Sequence, residues 1–204
     1  MNRRHFLHTS LFAAAGAAAT NPFAYAAHGK IGQLDPAEFK RLNQEAGAKM
    51  AAIKPGNEKL SEADQKLLME VAADGLAQLE FSRAAVKLAN SEDVRTIAQA
   101  EVEEQTGLSL KLKEIATAKD FILPATLDDK AQKSLTKLQQ KSGAKFDREY
   151  LKEIGVDGHQ KLRKTMNKVQ SKAADPTLKA VAEAALPLIQ THLQVSQDEI
   201  KDVV

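Results

Sequence analysis

Cysteine is absent from this chain, and so is tryptophan. Without thiols there are no disulfides, no thiolate metal sites and no cysteine nucleophile, so the fold is held by its core alone. Aromatic residues make up only 4% of the 204 positions. Beyond residue 26 they are Phe39, Phe81, Phe121, Phe146 and Tyr150. A core of Leu, Ile, Val and Ala with so few rings suits close-packed helices better than a sheet sandwich. There is no surplus of either charge beyond residue 26, where 27 basic residues face 27 acidic ones. That balance gives no reason to expect nucleic acid or an anionic membrane as partner. Nor is there an apolar run of the roughly 20 residues a membrane-spanning helix needs.

The first residues read as an address. Asn2-Arg3-Arg4-His5-Phe6-Leu7 is a paired-arginine start, and small and apolar residues fill Leu11 to Thr20. No acid precedes Asp35, and Ala24-Tyr25-Ala26 offers small residues where a signal peptidase reads. This is the pattern of an export signal over residues 1–26, leaving about 178 residues for one domain with a sizeable core. Arg-Arg-x-Phe-Leu is the twin-arginine type, whose cargo crosses the membrane folded. An ordinary secretory signal with two arginines is the alternative. Either route places the mature chain in the periplasm.

Helix punctuation organises the rest. Asp35-Pro36-Ala37-Glu38 joins a cap, a first-turn proline and an acid, and Pro55-Gly56 closes that element. Ser61 opens a long helix to about Ala89, and Asn90-Ser91 caps the next, to about Ala118. A connection through Leu123-Pro124 ends near Asp128, and a shorter helix runs to about Lys141. Further helices are expected from Phe146 to Ala173 and, after Asp175-Pro176, to about Val203. No stretch alternates with period two long enough for a strand. The expectation is an all-α, up-and-down four-helix bundle over residues 60–204 with short joins. Residues 27–59 form an N-terminal tail, loose over Ala27–Gly32, with an accessory helix.

Function in such a bundle lies where polar side chains point inward. Turning about 100° per residue puts Val94, Ile97, Ala98, Leu108, Leu112 and Ile115 on one stripe. Glu101 and Gln105 fall in its middle, one turn apart. A carboxylate there needs a partner, a ligand or a raised pKa, because leaving it bare costs several kcal/mol. His192 shares the last helix's apolar face with Leu178, Val181, Ala182, Ala185 and Ile189, and Pro187 predicts a kink one turn before it. His159 lies on the edge of a stripe thinned by Gly155 and Gly158. Gln78 lies on the flank of the first long helix. Each has a bland reading: a core histidine bonded to a carbonyl, a half-exposed flank, one turn of polar packing, an ordinary boundary position.

Several residues recur in a recognisable order: Leu60-x-x-x-Asp64, Ala72-Ala73-x-Gly75-Leu76-Ala77, Leu123-Pro124, Phe146-Asp147-x-x-Tyr150, Asp157-x-His159, and Leu186-Pro187 followed by His192-Leu193. In this order the chain resembles the domain of unknown function 4142 family, exported bacterial proteins with a ferritin-like bundle, over about Leu60 to Ile200. The resemblance implies that fold and an envelope location, and no established activity. The family pattern has a glutamate at the place of Gln78 and an Asp-His pair at the place of Glu104-Gln105. Glutamine is a poor metal ligand beside carboxylate or imidazole, and no Glu-x-x-His of the ferritin di-iron type occurs. Against that pattern, Glu101 is a carboxylate one turn away. With His159 and His192 it makes a candidate mononuclear site for a divalent metal, provided His159 rotates inward.

Two functional classes follow. A non-catalytic envelope or stress-related protein, binding a protein partner or small ligand, would have Glu101, Gln105 and His192 satisfied by one another and no open pocket. A metal- or small-molecule-binding bundle, with redox activity open to it, would bring Glu101, His159 and His192 together, with Gln78 and Gln105 as cofactor-binding neighbours, around a cavity. An oligomer is compatible with either. Hydrolase chemistry lacks a serine beside a matched histidine and acid, since Ser109 and Ser134 read as helix surface. The lysines from Lys161 to Lys172 read as a solvated face.

Overall fold

The structure, a computed structural model, describes residues 29–203. The export signal expected over residues 1–26 lies outside them. The described residues form α1 (Pro36–Ala52), α2 (Glu62–Leu88), α3 (Glu92–Ala118), α4 (Asp129–Gln139), α5 (Gly143–Tyr150), a π-helical segment (Leu151–Gly158), α6 (His159–Lys172) and α7 (Pro176–Glu199). No strand occurs among them. The starts follow the caps. Asp35 accepts from the backbone N–H of Ala37 and Glu38, Ser61 from Asp64, Ser91 from Asp93, and Asp175 from Thr177 and Leu178. Each satisfies an amide that a helix start leaves open.

α2, α3, the continuous α5–π–α6 rod and α7 form the four-helix bundle, with α2 against α3 and α6 against α7. Two carboxylates from the recurring motifs staple its ends. Asp147 takes the backbone N–H of Asn90 and of Ser91, both at 2.8 Å, so the rod begins beside the α2–α3 turn. Asp64 takes the N–H of Ala174 at 2.9 Å and of Asp175 at 3.2 Å, so the rod ends where α2 begins. At that same end Lys119 meets Asp175 at 2.6 Å. The rod and α3 therefore run in the same direction. Residues 119–142, with α4 among them, climb the whole bundle to join them. This is the single long crossover that ferritin-like bundles have, and strict alternation with short joins stops at it.

The first described residues are docked, in the part of Ala27–Gly32 that the structure describes, where a loose tail is expected. Ile31 is buried, and the Gly32 N–H reaches the Glu199 carboxylate at 3.1 Å. α1 then lies against α3 and α7. At its far end the buried Lys111 ammonium donates to the Ile53 carbonyl at 2.6 Å.

The apolar core is divided. One cluster gathers Phe39, Phe81, Ile97, Phe146, Tyr150, Leu151 and Val195. The other gathers Leu68, Val71, Leu108, Leu112, Leu162, Met166, Val181 and Ile189. Between them, at one level in all four bundle helices, lie Gln78, Glu101, Gln105, His159 and His192, each at most 3% exposed. A polar layer thus crosses the middle of the bundle.

Candidate metal centre

Glu101 lies at the centre of that layer. Its Oε2 is 2.9 Å from His159 Nε2 and 2.7 Å from His192 Nδ1, and its Oε1 accepts from Gln105 Nε2 at 3.0 Å. A fourth ligand-type group joins from the same helix. Glu104 Oε2 stands 3.3 Å from His192 Nδ1 and makes no hydrogen bond of its own. One donor atom each from Glu101, Glu104, His159 and His192 lie within 4.8 Å of one another. The two imidazole centroids are 5.5 Å apart.

The far nitrogens decide what the near ones can do. His159 Nδ1 is 2.9 Å from the Ile154 carbonyl, an acceptor only, so this nitrogen carries the hydrogen. His192 Nε2 is 2.9 Å from Asn43 Oδ1. The orientation of that amide is fixed because Asn43 Nδ2 donates to the Phe39 carbonyl at 2.8 Å. Neutral His159 and His192 therefore hold their lone pairs on Nε2 and Nδ1, the two atoms that face Glu101. Far-side donation of this kind is how proteins orient metal-binding imidazoles.

The π segment makes this possible for His159. Its backbone N–H bonds to Ile154, five residues back, where an α-helix would reach four. One extra residue in a turn offsets everything downstream by about 100° from the α register. The edge position that 3.6-residue spacing assigns to His159 thus becomes a buried one. Gly155 lets the segment approach α7, for a Cβ there would stand 2.6 Å from the Ser196 side chain. Gly158 faces the Gln78 carboxamide, 2.9 Å from where a Cβ would lie.

Metal-free, the layer must hold protons instead. Burial raises the Glu101 carboxyl, but His159 and His192 together overcome it and hold it well below the usual carboxylate range. Burial opposes the charge on His159, and the Glu101 carboxylate outweighs it, so His159 is pushed up to about 9. Glu104 is pushed up to about 7, by burial first and by the Glu101 charge second. The metal-free state near neutrality is an imidazolium–carboxylate pair beside a carboxyl that holds its proton into that range.

The structure thus brings together Glu101, Gln105, His159 and His192 of the residues singled out in the sequence. Gln78 is not bonded to them. It is buried where a boundary position was expected, with neither carboxamide atom hydrogen-bonded, and lines a separate pocket of about 340 Å³ with Asp74, Glu153, Asp157 and Gly158. Glu104 and Asn43 were missed. Glu104 is legible as i+3 from Glu101, whereas Asn43 bonds His192 across 149 positions and leaves no mark in spacing. Pro187 is accommodated on the exposed side of an unbroken α7.

A family profile described as "Domain of unknown function (DUF4142)" matches residues 49–198. The chain belongs to this family. No curated protein and no solved structure matches it at a significant level. The family region holds Glu101, Glu104, His159 and His192 but begins in the last turn of α1. Asn43, which fixes the His192 tautomer, therefore comes from outside it.

Proposed function

We propose that this is a metal-binding bundle of the cell envelope, holding one divalent first-row ion between Glu101, Glu104, His159 and His192. The observation that carries the reading is the pinning of both imidazoles, by Ile154 and by Asn43, with lone pairs aimed at two carboxylates. Donors about 2.1 Å from an ion stand about 3.0 Å apart when adjacent at right angles and about 4.2 Å apart when opposite. The separations of 2.7, 2.9 and 3.3 Å fit adjacent positions with little movement. Two imidazoles and two carboxylates suit zinc, iron(II) or manganese(II). A ferritin-type di-iron pair lacks its donors, since α2 offers Gln78 and no Glu-x-x-His is present. Gln105 orients the Glu101 carboxylate.

The alternative is a non-catalytic envelope protein whose polar layer is structural. It is favoured by Glu101, whose two oxygens already lie within hydrogen-bond distance of Gln105, His159 and His192. It leaves Glu104 Oε2, one of the four clustered donors, buried without a hydrogen bond. The experiment is metal analysis of the mature protein purified from its own periplasm, with thermal unfolding before and after chelation. Metal bound near one per chain and a lower melting temperature after chelation support the centre. An empty protein with an unchanged melting temperature leaves the layer structural. The periplasmic address rests on the export signal over residues 1–26, and its twin-arginine type on Arg3 and Arg4. Replacing Arg3 and Arg4 together by Lys is expected to keep the precursor in the cytoplasm, read by fractionation.

A further inference from the structure

Glu104 belongs to two places at once. It is one of the four clustered donors, and it also lines a pocket of about 220 Å³ between α1, α3 and α7, together with Asn43, Gly47, Gly107, Ala185 and Leu188. Two polar groups of that pocket, Asn43 and Glu104, also touch His192. Its other walls are mostly apolar and short. Gly47 and Gly107 sit inside helices, where glycine is among the least favourable residues. Neither is excused by crowding, because a Cβ at either position would meet nothing within 4 Å. Gly47 is exposed, so it is at the half-buried Gly107 that space is kept open at a cost to the helix.

We propose that this pocket binds a small neutral molecule with an apolar body, whose donor atom takes a free coordination position on the metal held by Glu101, Glu104, His159 and His192. The proposal rests on the metal reading above. Its size follows from volume, since an apolar cavity of about 150 Å³ already accepts benzene. Its charge follows from the centre. Two carboxylates and two neutral imidazoles balance a divalent ion, so a neutral donor leaves the buried site neutral. An anion would bury an uncompensated charge, and Glu103 on the pocket wall would repel it further. Four protein donors leave one or two positions of a five- or six-coordinate ion for that donor atom.

The test uses the full mature protein loaded with cobalt(II), whose visible bands report its coordination. It would be titrated with 1-methylimidazole, 1-butylimidazole and azide at pH 8. Both imidazoles are expected to shift the bands. The butyl compound should bind at least tenfold tighter, since each buried methylene is worth about fourfold. Azide should bind at least tenfold more weakly than either. Gly107→Leu, which adds a helix-favouring side chain into open space, should retain cobalt and lose the butyl advantage. Gly107→Ala should keep most of it. Equal binding of the two imidazoles, preference for azide, or an unchanged butyl advantage in Gly107→Leu would overturn the pocket while leaving the metal reading intact. Failure to take up cobalt at all would overturn both.

Discussion

His159 and His192 each spend one ring nitrogen on being held and turn the other towards Glu101. In the proposed reading the same four-atom convergence serves protons in one state and a metal ion in another, because imidazolium and carboxylate differ from a ligand pair only by what lies between them. Asn43 is a positioning residue in this scheme. Asn43→Ala leaves His192 free to choose its tautomer and is expected to weaken metal affinity 10- to 100-fold. Isothermal titration of the metal-free protein with zinc reads this directly, and an unchanged affinity would remove Asn43 from the account. Glu101→Ala acts on both states. It strips the proposed metal of its central carboxylate, and without metal it leaves the buried His159 with Glu104 alone as counter-charge, a loss of about 3–5 kcal/mol by denaturant unfolding.

At the scale of elements, the stapling carboxylates and the π segment divide the work between fold and site. Asp147→Ala removes two charge-assisted bonds at the α2–α3 turn and is expected to cost about 2–4 kcal/mol without altering metal stoichiometry. Gly155→Ala pushes a Cβ into Ser196, which lies on a packed helix, and is expected to cost about 1–3 kcal/mol. Because that shift moves the segment carrying His159, weaker metal binding should accompany it. Most element boundaries were readable from caps and prolines, since Asp35, Ser61, Ser91 and Asp175 announce their helices locally. The last helix ends at Glu199, a few residues short of the expected Val203, and the third begins at Gly143. The polar layer was partly readable too, as Glu101 and His192 interrupt apolar stripes. What spacing could not give was the π register that turns His159 inward, or the direction of the crossover. Both depend on contacts between segments far apart in sequence, and a 3.6-residue template assumes there is no such offset.

For the whole molecule, the two apolar clusters meet across a layer whose charge state sets stability. Glu104 is raised from its ordinary value to about 7, so its contribution to the metal-free fold is complete below the unfolded value near 4.5 and is lost as pH rises through 7. His159 is raised to about 9, so its contribution is complete below about 6.5 and is lost as pH rises through 9. Glu101 is lowered, so its contribution is present above 4.5 and fades only in acid. The metal-free protein is therefore expected to lose stability between pH 5 and pH 9. Metal reverses the slope, because it takes the place of those protons and binds best when they are gone. A melting temperature that rises over this range in the metal-free protein would contradict the assignment of protons to the layer.

The most direct test of the metal centre is the zinc, iron and manganese content of the natively purified mature protein, set beside that of a Glu101→Ala, His192→Ala double variant. The centre described here predicts one ion per chain in the first and none in a folded second. Equal metal content in both, or none in either, would contradict it.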